Sequence, residues 1–104
     1  MSAARIRELN DRFRTTMTGG RVLMTAGVNA LPSEVKAAVI QRVTTFSDFT
    51  ADNDPHEEHD FGNFSLAGRK FFFNIDLYED PGGKDADGQS AITRVLTIML
   101  AKEY

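Results

Sequence analysis

The residues with the richest chemistry lie in one stretch, Ser47 to Asp60, SDFTADNDPHEEHD. It holds Asp48, Asp52, Asp54, Glu57, Glu58 and Asp60 together with both histidines of the chain, His56 and His59. No Lys or Arg occurs from Val43 to Gly68, so no base close in sequence neutralises these acids. Carboxylates and imidazoles are the raw material of a metal site. Oxygen-rich loops suit Mg²⁺, Mn²⁺ or Ca²⁺, and histidine adds zinc or iron. The spacing nevertheless matches no sharp metal signature. DNDPHEEHD lacks the central Gly and terminal Glu of an EF-hand loop, and its histidines stand at i and i+3 where a zincin helix needs i and i+4.

Two other uses of such a stretch compete with a metal. Asp and Asn side chains cap turns, Asp54-Pro55 is a common turn start, and Phe49 and Phe61 would anchor the loop ends in the core. An acidic loop can also dock on Arg and Lys of another protein. Nucleophilic chemistry finds little support. Ser47, Ser65 and Ser90 sit in no elbow motif, and Thr18-Gly19-Gly20-Arg21 runs from helix to strand, the wrong order for a phosphate cradle. Tyr78 and Tyr104 read as packing and end-anchoring residues.

A chain of 104 residues is expected to form one domain, residues 1–104, with a single core that needs no metal or disulfide. An apolar fraction of 41% with eight Phe is too rich for a disordered chain. The absence of cysteine excludes disulfides, thiolate zinc sites and a cysteine nucleophile. No run approaches the ~20 apolar residues of a membrane span, and no signal-peptide core is present, so the expected location is cytoplasmic. The net charge of −3 is unevenly spread, basic at the start and acidic in the middle. That pattern argues against one broad nucleic-acid face, which carries a clear basic excess.

The elements that must position the loop follow from hydrophobic spacing. Ile6, Leu9, Phe13 and Met17 make a helical stripe in residues 3–17, with Arg5, Glu8 and Arg12 outward on a solvated face, and Gly19-Gly20 to stop it. RVLMTA, Arg21 to Ala26, reads as a short strand, and Gly27 to Leu31 as a connector. Pro32 opens a second helix through Phe46, with Glu34 in its first turn and Val35, Ala38, Val39, Val43 and Phe46 inward. Phe61–Leu66 and Arg69–Tyr78 form a hairpin around Ala67-Gly68, with Phe71, Phe73, Ile75 and Leu77 on its core face. Glu79 to Ser90 reads as a long polar turn. The run from Ala91 fits either a helix or a strand, and VLTI after a strand and a turn favours a strand paired with residues 69–78. The expected fold is α+β, two helices on a mostly antiparallel sheet of about four strands, in the order α-β-α-β-β-β.

These residues also resemble something known. TGGRVLMTAGV, FSDFTADNDPHEEHDFG, the aromatic strand ending NIDLY and the C-terminal TRVLTIMLAKEY are similar to a small bacterial family, a domain of unknown function of about this length. The resemblance covers nearly the whole chain and implies a context of plasmids and other mobile elements. It supplies no catalytic residues. His56 stands where that family often has an aromatic, which speaks against it as an essential ligand.

The expectation is a non-enzymatic accessory protein of a mobile element, with no cofactor, that binds a protein of basic surface. The partner-binding residues would be Asp52, Asp54, Glu57, Glu58, His59, Asp60 and Asp76. A specific form is an inhibitor that occupies the nucleic-acid site of a host defence nuclease or complex. The alternative is a small metal-dependent hydrolase or nuclease built on the cluster at 52–60 with Asp76. Direct DNA binding through the N-terminal Arg helix ranks below both, and no membrane partner is expected. Asp76 enters through register. If Leu66 pairs with Arg69, the hairpin extended outward sets His59 opposite Asp76, with Cβ atoms about 4.5–5.5 Å apart.

Overall fold

Helix α1, Ala3–Thr16, starts where the Ser2 side chain accepts the Arg5 N–H at 3.2 Å, an ordinary N-cap. It ends at Met17, which takes a left-handed φ of 57° and returns its N–H to the Phe13 carbonyl. The stop therefore precedes the two glycines. Of the expected apolar stripe, Phe13 is fully buried, and the other buried positions are Asn10 and Arg14. The helix is rolled towards its polar neighbours. The computed structural model describes residues 2–84 and 90–104 of the chain.

Strand β1 is Arg21–Met24, two residues shorter than expected. The segment read as a connector contains one helical turn, α2, Ala26–Asn29, wound there because Val28 reaches the core. Helix α3 is Ser33–Thr45, with Pro32 just outside it and Val39, Val43 and Phe46 inward as their spacing requires. Strand β2, Phe61–Leu66, and strand β3, Arg69–Lys84, meet in the expected register, Leu66 opposite Arg69 and Gly62 opposite Phe73. Ala67 and Gly68 both have positive φ, the pattern of a type I′ turn whose twist suits the sheet. Gly62 is required by close approach, because a Cβ there would overlap the Phe73 ring.

β3 does not stop at Tyr78. It runs on through residues expected to turn, because β4, Ser90–Leu100, pairs Ala91 with Asp80, and a register irregularity between Asp80 and Lys84 absorbs the Pro-Gly-Gly run. The rest of that expected turn, residues 85–89, lies outside the described residues. β4 settles the ambiguity near the C-terminus in favour of a strand. The sheet order is β1-β4-β3-β2, with β4 parallel to β1 and antiparallel to β3. The fold is α+β on a mixed sheet. Phe13, Val28, Val39 and Val43 from the helices pack with Phe71, Phe73, Ile75, Leu96, Ile98 and Leu100 from one face of it. Among the described residues no helix is long and apolar enough to cross a membrane.

A 3-10 turn, Ala101–Glu103, follows β4 and is tied to the start of α2. The Glu103 carboxylate accepts from Thr25 Oγ1 at 2.6 Å, from the Leu100 N–H at 3.0 Å and from the Gly27 N–H at 2.9 Å. These bonds, that from Thr25 first, hold its pKa below the ordinary 4.5. A carboxyl depressed on folding stabilises the native state fully above its unfolded value, and that contribution is lost as pH falls through the folded one. Acid should therefore loosen the C-terminal turn. Melting temperatures taken from about pH 6 to about pH 3 should fall less steeply for Glu103→Gln than for wild type. Parallel slopes would show that Glu103 titrates alike in both states.

Candidate functional site

The acidic loop is held to α1 by a polar stripe at helical spacing, Arg7, Asn10, Asp11 and Arg14. Positions i, i+3, i+4 and i+7 lie on one side of a helix, so four side chains reach the loop together. Arg7 donates to the Glu57 carbonyl at 2.9 Å and Asn10 to the Glu58 carbonyl at 3.0 Å. Asn10 also accepts from Arg94 of β4 at 3.0 Å, which links sheet, helix and loop.

Arg14 is the centre of this arrangement. Its guanidinium is buried and donates to the carbonyls of Val43 at 2.8 Å and Phe46 at 3.0 Å. Those carbonyls belong to the end of α3, where backbone donors run out and Val43 receives just a long bond of 3.4 Å from the Phe46 N–H. Arg14 is thus a C-terminal cap delivered from another helix, with its positive charge at the negative end of the α3 dipole. The same guanidinium bonds Asp11 at 3.1 Å and lies over the rings of Phe49 and Phe73 at 5.3 and 5.8 Å.

Asp11 extends the network to the loop. Its carboxylate lies 2.9 Å from His59 Nδ1, while Asp54 Oδ2 approaches Nε2 on the other side of the ring at 3.6 Å. Phe49 stacks flat on the imidazole with 3.8 Å between centroids. Asp54 is buried, and its Oδ1 accepts the N–H groups of Glu58 and His59, both at 3.0 Å. Glu57 and His59 take φ of 56° and 53°, uncommon for residues other than glycine, and the Asp54 bonds help to keep them there. Asn53 fastens the first half of the loop, donating to the Asp48 carbonyl and accepting from the Thr50 N–H, both at 3.0 Å.

His59 does not meet Asp76. The expected β2–β3 register holds as far as Phe61 opposite Asn74, but the positive φ at His59 turns the chain off the ladder. The imidazole goes to Asp11, and Asp76 pairs with Val95 on β4, exposed on the sheet. Among the candidate residues, Asp54 and His59 thus face inward and brace the loop. Asp52 and Glu57 are exposed, Glu58 and Asp60 are half-buried, and Asp76 stands apart. Asp48 and His56 are also exposed. Asp11, Asn10 and Arg14 escaped the sequence reading, although their spacing beside the apolar stripe was a usable sign. Charged and polar side chains carry no local sign of burial.

A cleft of about 290 Å³ opens beside this network, lined by Arg7, Phe49, Thr50, Asp54, Glu57 and His59 among others. Both imidazole nitrogens of His59 face carboxylates, Asp11 at Nδ1 and Asp54 at Nε2. Among the described residues no group of three or more His, Asp or Glu could hold a metal ion. The arrangement is suited to rigidity. Asp54→Ala should orphan two N–H groups and cost about 1–3 kcal/mol. Hydrogen exchange should accelerate most at the Glu58 and His59 amides, and unchanged exchange there would mean that the loop is held without Asp54.

Comparison with known proteins adds the family and nothing on activity. No curated protein and no solved structure matches this chain. The model of one family does match residues 24–103, a span that runs from the last residue of β1 through α2, α3 and the loop to β2, β3 and β4. The chain belongs to that family, described as protein of unknown function (DUF3768).

Proposed function

We propose that the protein is a non-enzymatic binding protein that presents the loop 47–60 to a basic surface on a macromolecular partner. One observation carries this reading. The loop is fixed from beneath by α1, yet Asp48, Asp52 and Glu57 project from it exposed, and none has an ion-pair partner among the described residues. Fixed, unpaired charges suit recognition. A loop ordered in advance avoids much of the ordering cost of binding, about 0.5–1.5 kcal/mol per immobilised side chain. Fields of one sign also speed encounter with the opposite one.

The resemblance to a family of plasmids and mobile elements gives this reading its finer form. Carboxylates spaced along a rigid loop can take the place of phosphates, so an accessory protein of this kind would occupy the nucleic-acid site of a host defence nuclease. Pull-down from a bacterial lysate, with and without chelator, tests it. The partner should be retained in chelator and released by salt. The variant Asp48→Asn, Asp52→Asn, Glu57→Gln should bind at least about tenfold more weakly with a flatter salt dependence. Its melting should change little, since exposed acids contribute roughly 0–1 kcal/mol each. Asp54 is left intact because it is internal. Undiminished binding by this variant removes the loop as the docking surface.

A further inference from the structure

The helices cover one face of the sheet, and the opposite face carries Leu23, Val95, Met99, Phe61, Phe72 and Tyr78. Sheets that are wet on one side normally alternate apolar inward with polar outward. This face follows the rule in part, with large apolar side chains standing among polar ones such as Asn63, Asn74 and Thr97. Leu23 is 52% exposed and Tyr78 56%, and Tyr104 folds onto it against Phe72 and Phe61 at 5.1 and 6.1 Å between centroids. Asn74 Oδ1, on the same face, is enclosed without a hydrogen-bond partner.

Charge identifies what covers it. Val95 of β4 pairs with Arg21 on one side and Asp76 on the other, so Arg21, Val95 and Asp76 form one row across the sheet. Both charged side chains are exposed, and neither is in an ion pair among the described residues. Strands lie about 4.8 Å apart and packed sheets about 10 Å apart. A two-fold axis along β4, midway between two facing sheets, maps the β1 position onto the β3 position. Arg21 then faces Asp76 of the partner subunit, twice, with Val95 against Val95 at the centre. An axis across the strands would instead set Arg21 against Arg21 and Asp76 against Asp76, and like charges reject it. We propose that the exposed part of this sheet face around Val95 is the interface of a symmetric dimer of the chain, closed by two Arg21–Asp76 pairs.

The inference does not rest on the acidic loop. Sedimentation of the full chain over a range of concentrations should show a monomer–dimer equilibrium. Arg21→Glu and Asp76→Arg should each weaken association by at least about tenfold, and the two together should restore it, because the reversed charges again pair. Since the chain has no cysteine, Val95→Cys should be joined to its copy in the partner subunit by a short bifunctional thiol reagent that spans the gap between packed sheets, and Ala37→Cys on the exposed side of α3 should not. Restored association in the double variant also excludes misfolding of the single ones. A chain that stays monomeric at every concentration overturns the proposal and leaves the face to a different partner. A double variant no better than the singles, or equal cross-linking at positions 95 and 37, overturns this geometry.

Discussion

A chain ending before Ile92 should lose cooperative folding. β4 is an inner strand, paired along its length with β3 and over four residues with β1, and β1 has no other strand partner among the described residues. Removing it takes Leu96 and Ile98, both fully buried, out of the core and strips two strands of their hydrogen bonds. No element left behind can replace those bonds, because β1 and β3 are separated by the width of the missing strand. Leu96→Ala probes the same strand in the intact chain. It should cost about 2–5 kcal/mol, as large-to-small changes in a close-packed core do. For a domain of this size each kcal/mol lowers the melting temperature by about 4–8 °C. Circular dichroism melts decide both. A shortened chain that still melts cooperatively near wild type would make the segment a tail, against the pairing described above.

The second large effect belongs to Arg14. Arg14→Ala uncovers the carbonyls of Val43 and Phe46 at the end of α3, leaves Asp11 without its guanidinium, and empties space between Phe49 and Phe73. An unsatisfied buried polar group costs about 1–3 kcal/mol, and the lost packing adds to it, so the sum should reach about 3–5 kcal/mol. Arg14→Lys should recover little, since an ammonium lacks the planar fork that reaches two carbonyls and a carboxylate at once. Asp11→Asn should be milder, because the Asp11 side chain is 36% exposed and water can replace part of what it offers. If Asp11→Asn proves the more damaging, the ion pair and not the helix cap holds the loop. Denaturant unfolding separates these outcomes, and hydrogen exchange in residues 47–60 should show the loop opening before the global transition.

The contrast between these two sites shows what the amino-acid sequence by itself determined. The elements β2 and α3, the start of β3, the hairpin register and the inward Phe71, Phe73, Ile75, Val39 and Val43 all follow from local spacing. Local periodicity decides which side of a strand or helix is apolar, and a two-residue turn leaves little freedom in register. The strand at the C-terminus was legible only as one of two options, because its apolar residues satisfy both periods. Pairing with β3 on one side and β1 on the other chose between them.

The environment of the acidic loop was decided by tertiary structure alone. Nothing in SDFTADNDPHEEHD says that Asp54 is buried or that His59 turns from Asp76 to Asp11, which is 48 residues away in sequence. Arg14 on an N-terminal helix reads as a solvent charge until the end of α3 is brought to it. A buried arginine is tolerated only where several acceptors converge, and that convergence belongs to the packing of α1 on α3, not to any local pattern. Local spacing therefore placed the acids in one loop, and long-range contact decided which of them brace it and which face outward.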